Sequence, residues 1–429
     1  MERKIDRILE EWKVSKGRLP LIVQGARQVG KTFSLLDFGH RCFINTIYLN
    51  FERSRELQTV FERDLDPHRI LRELSVITGE TIMKEKSLII FDEIQTCARA
   101  LTSLKYFAEE APDYVVVAAG SLPGVTVNRN KYSFPVGKVN IIHMYPLDFE
   151  ECLWANDRRN AAEIIRENYM ANSSCSIHDT LNDIYRTFLF IGGMPQVVDD
   201  YVVNKDLLRV SMLQKNINDT YVADMARYAD PAETVRIISV FQSIPSQLAK
   251  ENHKFQYKVI KSGARAAIYG SAIDWLKASG IVTACHKVSS GTIPLTAVAD
   301  SESFKLYHID TGLLCNMAGV SMKSVISELE GSNRFSGALA ENYVATTLTA
   351  AGHNPFYWES EGKSEVDFVI QAENRIIPIE VKSSGNVRSK SLNEFVRRYS
   401  PSLSYRISTK NFGLENNIKS IPLYAVFCV

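Results

Sequence analysis

The chain opens with charged and apolar residues at helical spacing (MERKIDRILEEWK) and then changes period. Through the first 150 residues, short apolar runs at 19–24, 46–51, 87–91, 114–119 and 139–144 alternate with stretches of helical periodicity. The runs are apolar at consecutive positions rather than at every second one, the pattern of strands covered by helices on both faces. This alternation predicts a doubly wound α/β domain.

Strands then fade. From about 149 to 228 the pattern is helical, broken by a turn at Ile191-Gly192-Gly193-Met194-Pro195. Helices are expected at 231–243, 246–250 and 264–279, followed by β-like stretches at 281–288, 294–299 and 304–310. Three helices and a small hairpin have the layout of a winged helix-turn-helix. The last hundred residues read as a second α/β unit: a helix at 336–351, strands at 354–358, 364–371 and 376–382, and a basic helix at 389–399. The expected parts are therefore 1–155, 156–230, 231–320 and 321–429.

Composition narrows the function classes. Fifty Lys and Arg against forty-nine Asp and Glu leave a net charge of +1, so any basic surface must be local. No apolar run approaches the roughly 18–20 residues of a membrane span. The seven cysteines, at 42, 97, 152, 175, 285, 315 and 428, have no paired spacing, which argues against a disulfide framework or a zinc site and for a reducing cytoplasm. His308 and the tryptophans Trp154, Trp275 and Trp358 are expected in the core.

Gly25-Ala26-Arg27-Gln28-Val29-Gly30-Lys31-Thr32 matches GxxxxGK[ST], between an apolar strand and a helix. Its glycines let backbone amides turn inward around phosphate oxygens, and the helix N-terminus favours negative charge. Lys31 is expected to reach the β- and γ-phosphates and Thr32 to offer its hydroxyl to magnesium; the nucleotide-contacting run is taken through Phe33. Ser87-Leu88-Ile89-Ile90-Phe91-Asp92-Glu93 supplies an acidic strand end, with Asp92 the expected holder of hydrated magnesium and Glu93 the residue that polarises the attacking water. The strand candidate at 46–51 lies between the two motifs and is expected to separate their strands. Ser121, at the end of the next strand, is either a sensor of the γ-phosphate or part of a Gly-Ser turn.

These motifs, with Tyr145-Pro146-Leu147-Asp148-Phe149-Glu150-Glu151, Gly192-Gly193-Met194-Pro195, the run from Lys305 to Leu313, Gly337–Glu341, Glu365-Val366-Asp367-Phe368 and Ile379-Glu380-Val381-Lys382-Ser383, resemble the prokaryotic AAA-type ATPases that carry a C-terminal domain of unknown function. The resemblance covers nearly the whole chain. It implies a P-loop ATPase core with a helical lid, ATP and Mg2+ as cofactors, and a homo-oligomer. Such ATPases typically carry Gly-Arg before the fifth strand, where this chain has Gly137-Lys138, so Arg129, Lys131 and Lys138 all stay candidates for a charge given to a neighbouring subunit.

In the last part, Glu380 and Lys382 sit two apart on a strand and so share a face, with Asp367 on the preceding strand and Glu341 on a helix. Two carboxylates and an amine brought together suit metal-dependent phosphodiester cleavage: Asp367, Glu380 and Glu341 would hold the metal and Lys382 would orient the water. The set resembles the PD-(D/E)xK nuclease core, a restriction-endonuclease-like α/β fold. The other reading is an amphipathic edge with a surface ion pair. Arg388, Lys390, Arg397, Arg398, Arg406, Lys410 and Lys419, together with Lys254, Lys258, Lys261 and Arg265, form local basic clusters that point to DNA as the partner. The alternatives are a nucleotide-controlled switch, or a protein-remodelling ATPase whose last domain only docks a partner.

Overall fold

The computed structural model describes residues 1–120, 134–228, 230–251, 253–322, 334–360, 364–383 and 390–429. They form two compact units, Met1–Tyr145 with Ala278–Gly280, and Pro146–Lys277 with Ile281–Val429.

The first unit runs α1 (Lys4–Val14), β1 (Leu21–Gln24), α2 (Lys31–Cys42), β2 (Asn45–Asn50), α3 (Arg55–Thr59), α4 (Pro67–Thr78), β3 (Ser87–Asp92), α5 (Ala98–Glu110), β4 (Val115–Gly120) and β5 (Asn140–His143). Its five strands pair in parallel in the order β2-β3-β4-β1-β5. The P-loop strand β1 and the acidic strand β3 are separated, as expected, but the strand between them is β4. β2, which lies between them in sequence, is at the sheet edge; order along the chain is not order across a sheet built from crossovers. β1, β3 and β4 are buried at every position, whereas β5 is largely exposed, because an edge strand is covered from one side only. Phe51, Phe61 and Phe91 meet edge to face at 5.5–5.6 Å, and Phe107 joins Phe91 at 6.0 Å, in the apolar layer under α4 and α5.

The second unit begins with helices α6 (Phe149–Ala155), α7 (Arg159–Ala171), α8 (His178–Ile191), α9 (Pro195–Asn204), α10 (Leu207–Tyr228), α11 (Pro231–Leu248), α12 (Tyr257–Ile260) and α13 (Ala266–Ala278). Asp148 starts α6 through a capping box with Glu151, each side chain taking the other's backbone N–H at 2.9 and 3.1 Å. Asp230 caps α11, and that helix runs through Pro245 rather than splitting as its sequence predicts. Then come β6 (Val282–Val288), β7 (Ala299–His308), α14 (Thr311–Met317), α15 (Arg334–Ala350), β8 (Phe356–Ser360), β9 (Ser364–Ala372), β10 (Arg375–Lys382), α16 (Lys390–Tyr399), β11 (Ser404–Ser408), β12 (Gly413–Glu415) and β13 (Ile418–Pro422).

All eight strands of this unit join one mixed sheet, β12-β13-β11-β10-β9-β8-β6-β7. The hairpin expected as a wing is therefore not independent: β6 pairs with β7 on one side and runs parallel to β8 on the other, at His286–Phe356, Lys287–Tyr357 and Val288–Trp358. The physical reason is edge pairing; a two-stranded hairpin alone leaves ladder groups open, and β8 closes them. The strands expected on either side of residue 320 share one sheet.

The turn Gly192-Gly193 and the segment around Asp310 hold each other. The Asp310 carboxylate accepts the Gly193 N–H at 2.6 Å and caps α14 by accepting the Leu313 N–H at 2.8 Å. Gly192 has φ +74°, and a Cβ there would stand 2.3 Å from the Asp310 carboxylate; one at Gly193 would stand 1.9 Å from the Leu147 carbonyl oxygen. Only glycine allows so close an approach.

His308 is fully buried, as are Trp358 and, nearly so, Trp275; Trp154 is only half-buried, with the Arg159 guanidinium 5.3 Å over its ring. All seven cysteines are free thiols, and no helix among the described residues is long and apolar enough to cross a membrane.

Candidate functional site

The loop between β1 and α2 takes the backbone form its glycines permit. Gly30 lies at φ +98° directly before α2, and Gln28 is also left-handed at φ +65°. A Cβ at Gly25 would stand 2.2 Å from the Met144 carbonyl oxygen, so that position must be bare. Arg3 braces the loop from α1, donating to the Val29 carbonyl at 3.1 Å and to the Tyr145 carbonyl at 2.8 Å. Ala26 and Val29 are buried and Phe33 is 62% exposed on the first turn of α2.

Lys31 folds back into the loop and donates to the carbonyls of Gly25 (2.9 Å) and Ala26 (2.8 Å). Burial of the ammonium lowers its pKa to about 8, against the opposing pull of Glu93 and Asp92. The Thr32 hydroxyl lies 3.0 Å from Asp92 Oδ2, so the two motifs, sixty residues apart, converge on one point. Asp92 also accepts from the Tyr48 hydroxyl at 2.7 Å and from the Glu93 N–H at 3.0 Å. A hydroxyl and a carboxylate at that separation fit a hydrated magnesium: Thr32 would bind directly and Asp92 through its water shell.

Glu93 occupies the left-handed region at φ +51°, a strained placement for a glutamate. Its carboxylate accepts from Gln95 Nε2 and has Arg27 Nη2 at 3.8 Å; Arg27 is also 3.9 Å from Glu52. Gln95 in turn lies where a Cβ on Gly120 would reach, 2.4 Å from Gln95 Oε1, linking the ends of β3 and β4. Tyr48, Gln95 and Arg3 are the contributors that motif reading passes over. Tyr48 could have been found from its place two residues before the end of β2. Ser121, Arg129 and Lys131 lie outside the described residues, and Lys138 is paired with Glu109 at 3.0 Å.

The expected C-terminal quartet is drawn together, but not around a metal position. Glu380 Oε1 pairs with Lys382 at 2.6 Å, as two residues on one strand face should. Asp367 Oδ2 accepts the Val381 N–H at 2.8 Å, just past the last ladder pair Phe368–Ile379. Asp367 falls where β9 skips register: Val366 faces Trp358 but Val369 faces Phe356, and such a bulge re-aims a side chain. Burial, then Glu380 and Glu341, push the Asp367 carboxyl well above its usual range, while Lys382 and Lys305 oppose them.

Glu341 on α15 is already engaged three ways. Its Oε2 receives His253 Nδ1 at 2.9 Å, the Tyr307 hydroxyl at 3.0 Å and Lys305 Nζ at 3.3 Å. Burial would raise its carboxyl, and Lys305 and His253 instead hold it well below the usual range. Lys305 is wholly buried and also pairs with Glu365 Oε1 at 2.7 Å. Glu365 and Glu359 face one another across β9 and β8, a repulsive pairing relieved by Lys254 and Lys287 as well. Among the described residues no group of three or more His, Cys, Asp or Glu side chains is arranged to hold a metal. The quartet therefore does not fit a magnesium ion through Glu341, Asp367 and Glu380; Lys305, which spacing could not place, offsets the charge of Glu341 and of the further carboxylate Glu365, and His253 meets Glu341.

The basic clusters divide. Lys254 is spent on Glu359 and Glu365, Lys419 lies 3.4 Å over the Tyr169 ring and donates to its carbonyl at 2.7 Å, and Arg398 pairs with Glu394. Lys258, Lys261, Arg265, Lys390, Arg397 and Lys410 are exposed and Arg406 is half-buried; Arg388 lies outside the described residues.

Residues 17–153 match the family described as AAA domain. That match supports an AAA-type ATPase. Residues 182–324 and 336–426 match two families described as domains of unknown function, DUF8612 and DUF4143. No curated protein matches the chain significantly. Among solved structures, the chain is similar to a Walker-type ATPase of Pyrococcus abyssi (15% identity, TM-score 0.47, covering 74% of this chain and 95% of that one). It is also similar to the ORC1 protein of Aeropyrum pernix in complex with DNA (13%, 0.28, 76% and 92%) and to Cdc6p of Pyrobaculum aerophilum (13%, 0.25, 76% and 92%). At such scores the likeness speaks neither for a partner nor for an activity.

Proposed function

We propose that the chain hydrolyses ATP with magnesium at the P-loop and uses the cycle to act on DNA. The convergence of the Thr32 hydroxyl and the Asp92 carboxylate at 3.0 Å, with Glu93 next along, carries the hydrolytic part. Thr32 and Asp92 would hold the magnesium, which when bound would offset phosphate charge. Lys31 leaves the loop carbonyls to meet phosphate oxygens, Gly30 and its neighbours present backbone N–H groups, and Glu93, held between Arg27 and Gln95, polarises the attacking water.

Glu93→Gln is expected to bind ATP with near-normal affinity and turn it over at least about a hundredfold more slowly, the scale of a lost general base. Lys31→Ala is expected to lose nucleotide binding itself. Unchanged turnover in Glu93→Gln would sink the assignment.

The DNA part rests on the exposed Lys258, Lys261 and Arg265 around α12 and α13, and on Lys390, Arg397 and Lys410. The C-terminal domain does not cut in this scheme, because Glu341 Oε2 and Glu380 Oε1 already have ammonium partners. ATP turnover should rise with some DNA form, and DNA affinity should fall with salt. Each of Lys258, Lys261 and Arg265 replaced by Ala should reduce the salt slope by roughly one where it meets a phosphate. Turnover indifferent to every DNA form, with a salt-independent affinity, would favour the protein-remodelling reading.

A further inference from the structure

We propose that the Lys305 ammonium is the resident cation of the C-terminal carboxylate cluster, in place of the divalent metal that Glu341, Asp367 and Glu380 were expected to hold. Lys305 comes from β7, at the edge of the eight-stranded sheet, and is wholly buried. Its Nζ lies 2.7 Å from Glu365, 3.3 Å from Glu341 and 5.3 Å from the centre of the Tyr357 ring. An ammonium has three N–H groups; two meet carboxylates and the third has an aromatic face nearby.

Buried lysine and buried carboxylates require each other here. Either alone is costly to remove from water, and the pairing offsets that cost only because the geometry is close. A divalent ion makes the same demand on the carboxylates and would compete for them. It needs several oxygens at roughly 2.1 Å, and every ammonium already held by those carboxylates opposes it. Glu341 Oε2 has three donors, Glu380 Oε1 has Lys382, and Asp367 Oδ2 has the Val381 N–H. Each of Glu341, Asp367 and Glu380 keeps a second oxygen outside these contacts, Glu380 Oε2 being buried without a hydrogen-bond partner, but among the described residues no three such side chains are arranged to hold a metal. The neighbouring Glu359 is met by Lys254 and Lys287, so four lysines stand against the five carboxylates of the cluster and little negative charge is left to draw a dication in. The domain keeps the acidic geometry with its charge closed by side chains, which makes it a rigid binding module rather than a metal-dependent cutter.

Manganese bound per full-length chain, counted by the paramagnetic resonance of the free ion, tests this. The wild type should bind Mn2+ only when an ATP analogue is present, through the P-loop, and Asp367→Asn should leave that count unchanged. Lys305→Met should gain a nucleotide-independent Mn2+ site at least tenfold tighter than any in the wild type. That site should disappear again when Asp367→Asn is added, and Mn2+ should raise the melting midpoint of Lys305→Met but not of the wild type. A wild-type chain that binds nucleotide-independent Mn2+, lost in Asp367→Asn, overturns the proposal. So does a folded Lys305→Met that gains no Mn2+. Where Lys305→Met does not fold, the comparison of wild type with Asp367→Asn decides alone. Since the P-loop site is read separately through its nucleotide dependence, neither result bears on the ATPase assignment.

Discussion

Lys31 shows how one side chain carries both a stability and a binding consequence. Its stem is partly exposed, but the ammonium is drawn back onto the Gly25 and Ala26 carbonyls, and burial lowers its pKa from 10.5 to about 8. Between those values the folded chain holds fewer protons than the unfolded one, so stability at this residue rises as pH climbs from about 8 towards 10.5. An arriving triphosphate reverses the balance, because anionic oxygens favour the charged amine. ATP binding at pH 8 to 9 is therefore expected to take up a fraction of a proton. Titration calorimetry in two buffers of unlike ionisation enthalpy should give different apparent heats, and Lys31→Arg, whose guanidinium stays charged, should give equal ones. Equal heats for the wild type would contradict the account of a desolvated ammonium.

At the level of elements, the Asp310 contact explains two motifs that spacing alone left without a purpose. The side chain ties the turn between α8 and α9 to the corner between β7 and α14, and burial raises its carboxyl to about 6 while the Gly193, Leu313 and Gly312 N–H groups pull it down. Asp310→Ala would strand buried N–H groups at both ends of the contact. Each costs about 1–3 kcal/mol, so a loss of roughly 3 kcal/mol is expected in denaturant unfolding. Asp310→Asn keeps an acceptor oxygen without the charge and should cost far less. The sign in pH follows from the raised carboxyl: the folded chain keeps a proton between about pH 4 and 6 that the unfolded chain has lost, so this residue's contribution to stability falls as pH rises through that window, and Asp310→Asn should flatten it. Legibility also divides by element. The P-loop could be read because its glycines fix local backbone geometry within eight residues. β11 to β13 escaped notice because they are short and carry polar residues, as Ser404–Ser408 does. The partners of Glu341 escaped because His253, Lys305 and Tyr307 reach it from other elements, and no local period encodes a non-local pairing.

For the whole molecule, a net charge of +1 conceals local extremes. In the second unit the carboxylates around Glu341 are matched by lysines, of which Lys305 is wholly buried, and in the first the P-loop gathers Lys31 beside Asp92 and Glu93. ATP hydrolysis of this type gains roughly three to five orders of magnitude from an additional cation that meets the transition state. The cations that the structure sets near Glu93 are committed: Arg27 faces Glu52 and Glu93 from within the loop, and Lys31 is held by loop carbonyls. Lys138, the described member of the three candidates for such a charge, is paired with Glu109. A charge supplied by a second copy of the chain is the economical source, since it would make turnover contingent on assembly. Turnover per chain is accordingly expected to rise with protein concentration and to level off once the assembled form dominates in sedimentation. Glu93→Gln chains, mixed in at fixed total concentration, should still assemble and should lend their cation to wild-type neighbours, so that activity falls only in proportion to the wild-type fraction. Arg129→Ala or Lys131→Ala chains, if either residue supplies the charge, should instead lower the turnover of the wild-type chains they contact. Turnover that is independent of concentration, from a chain that sediments as a monomer, would place the stimulating charge within the chain and leave Arg27 as the residue to replace first.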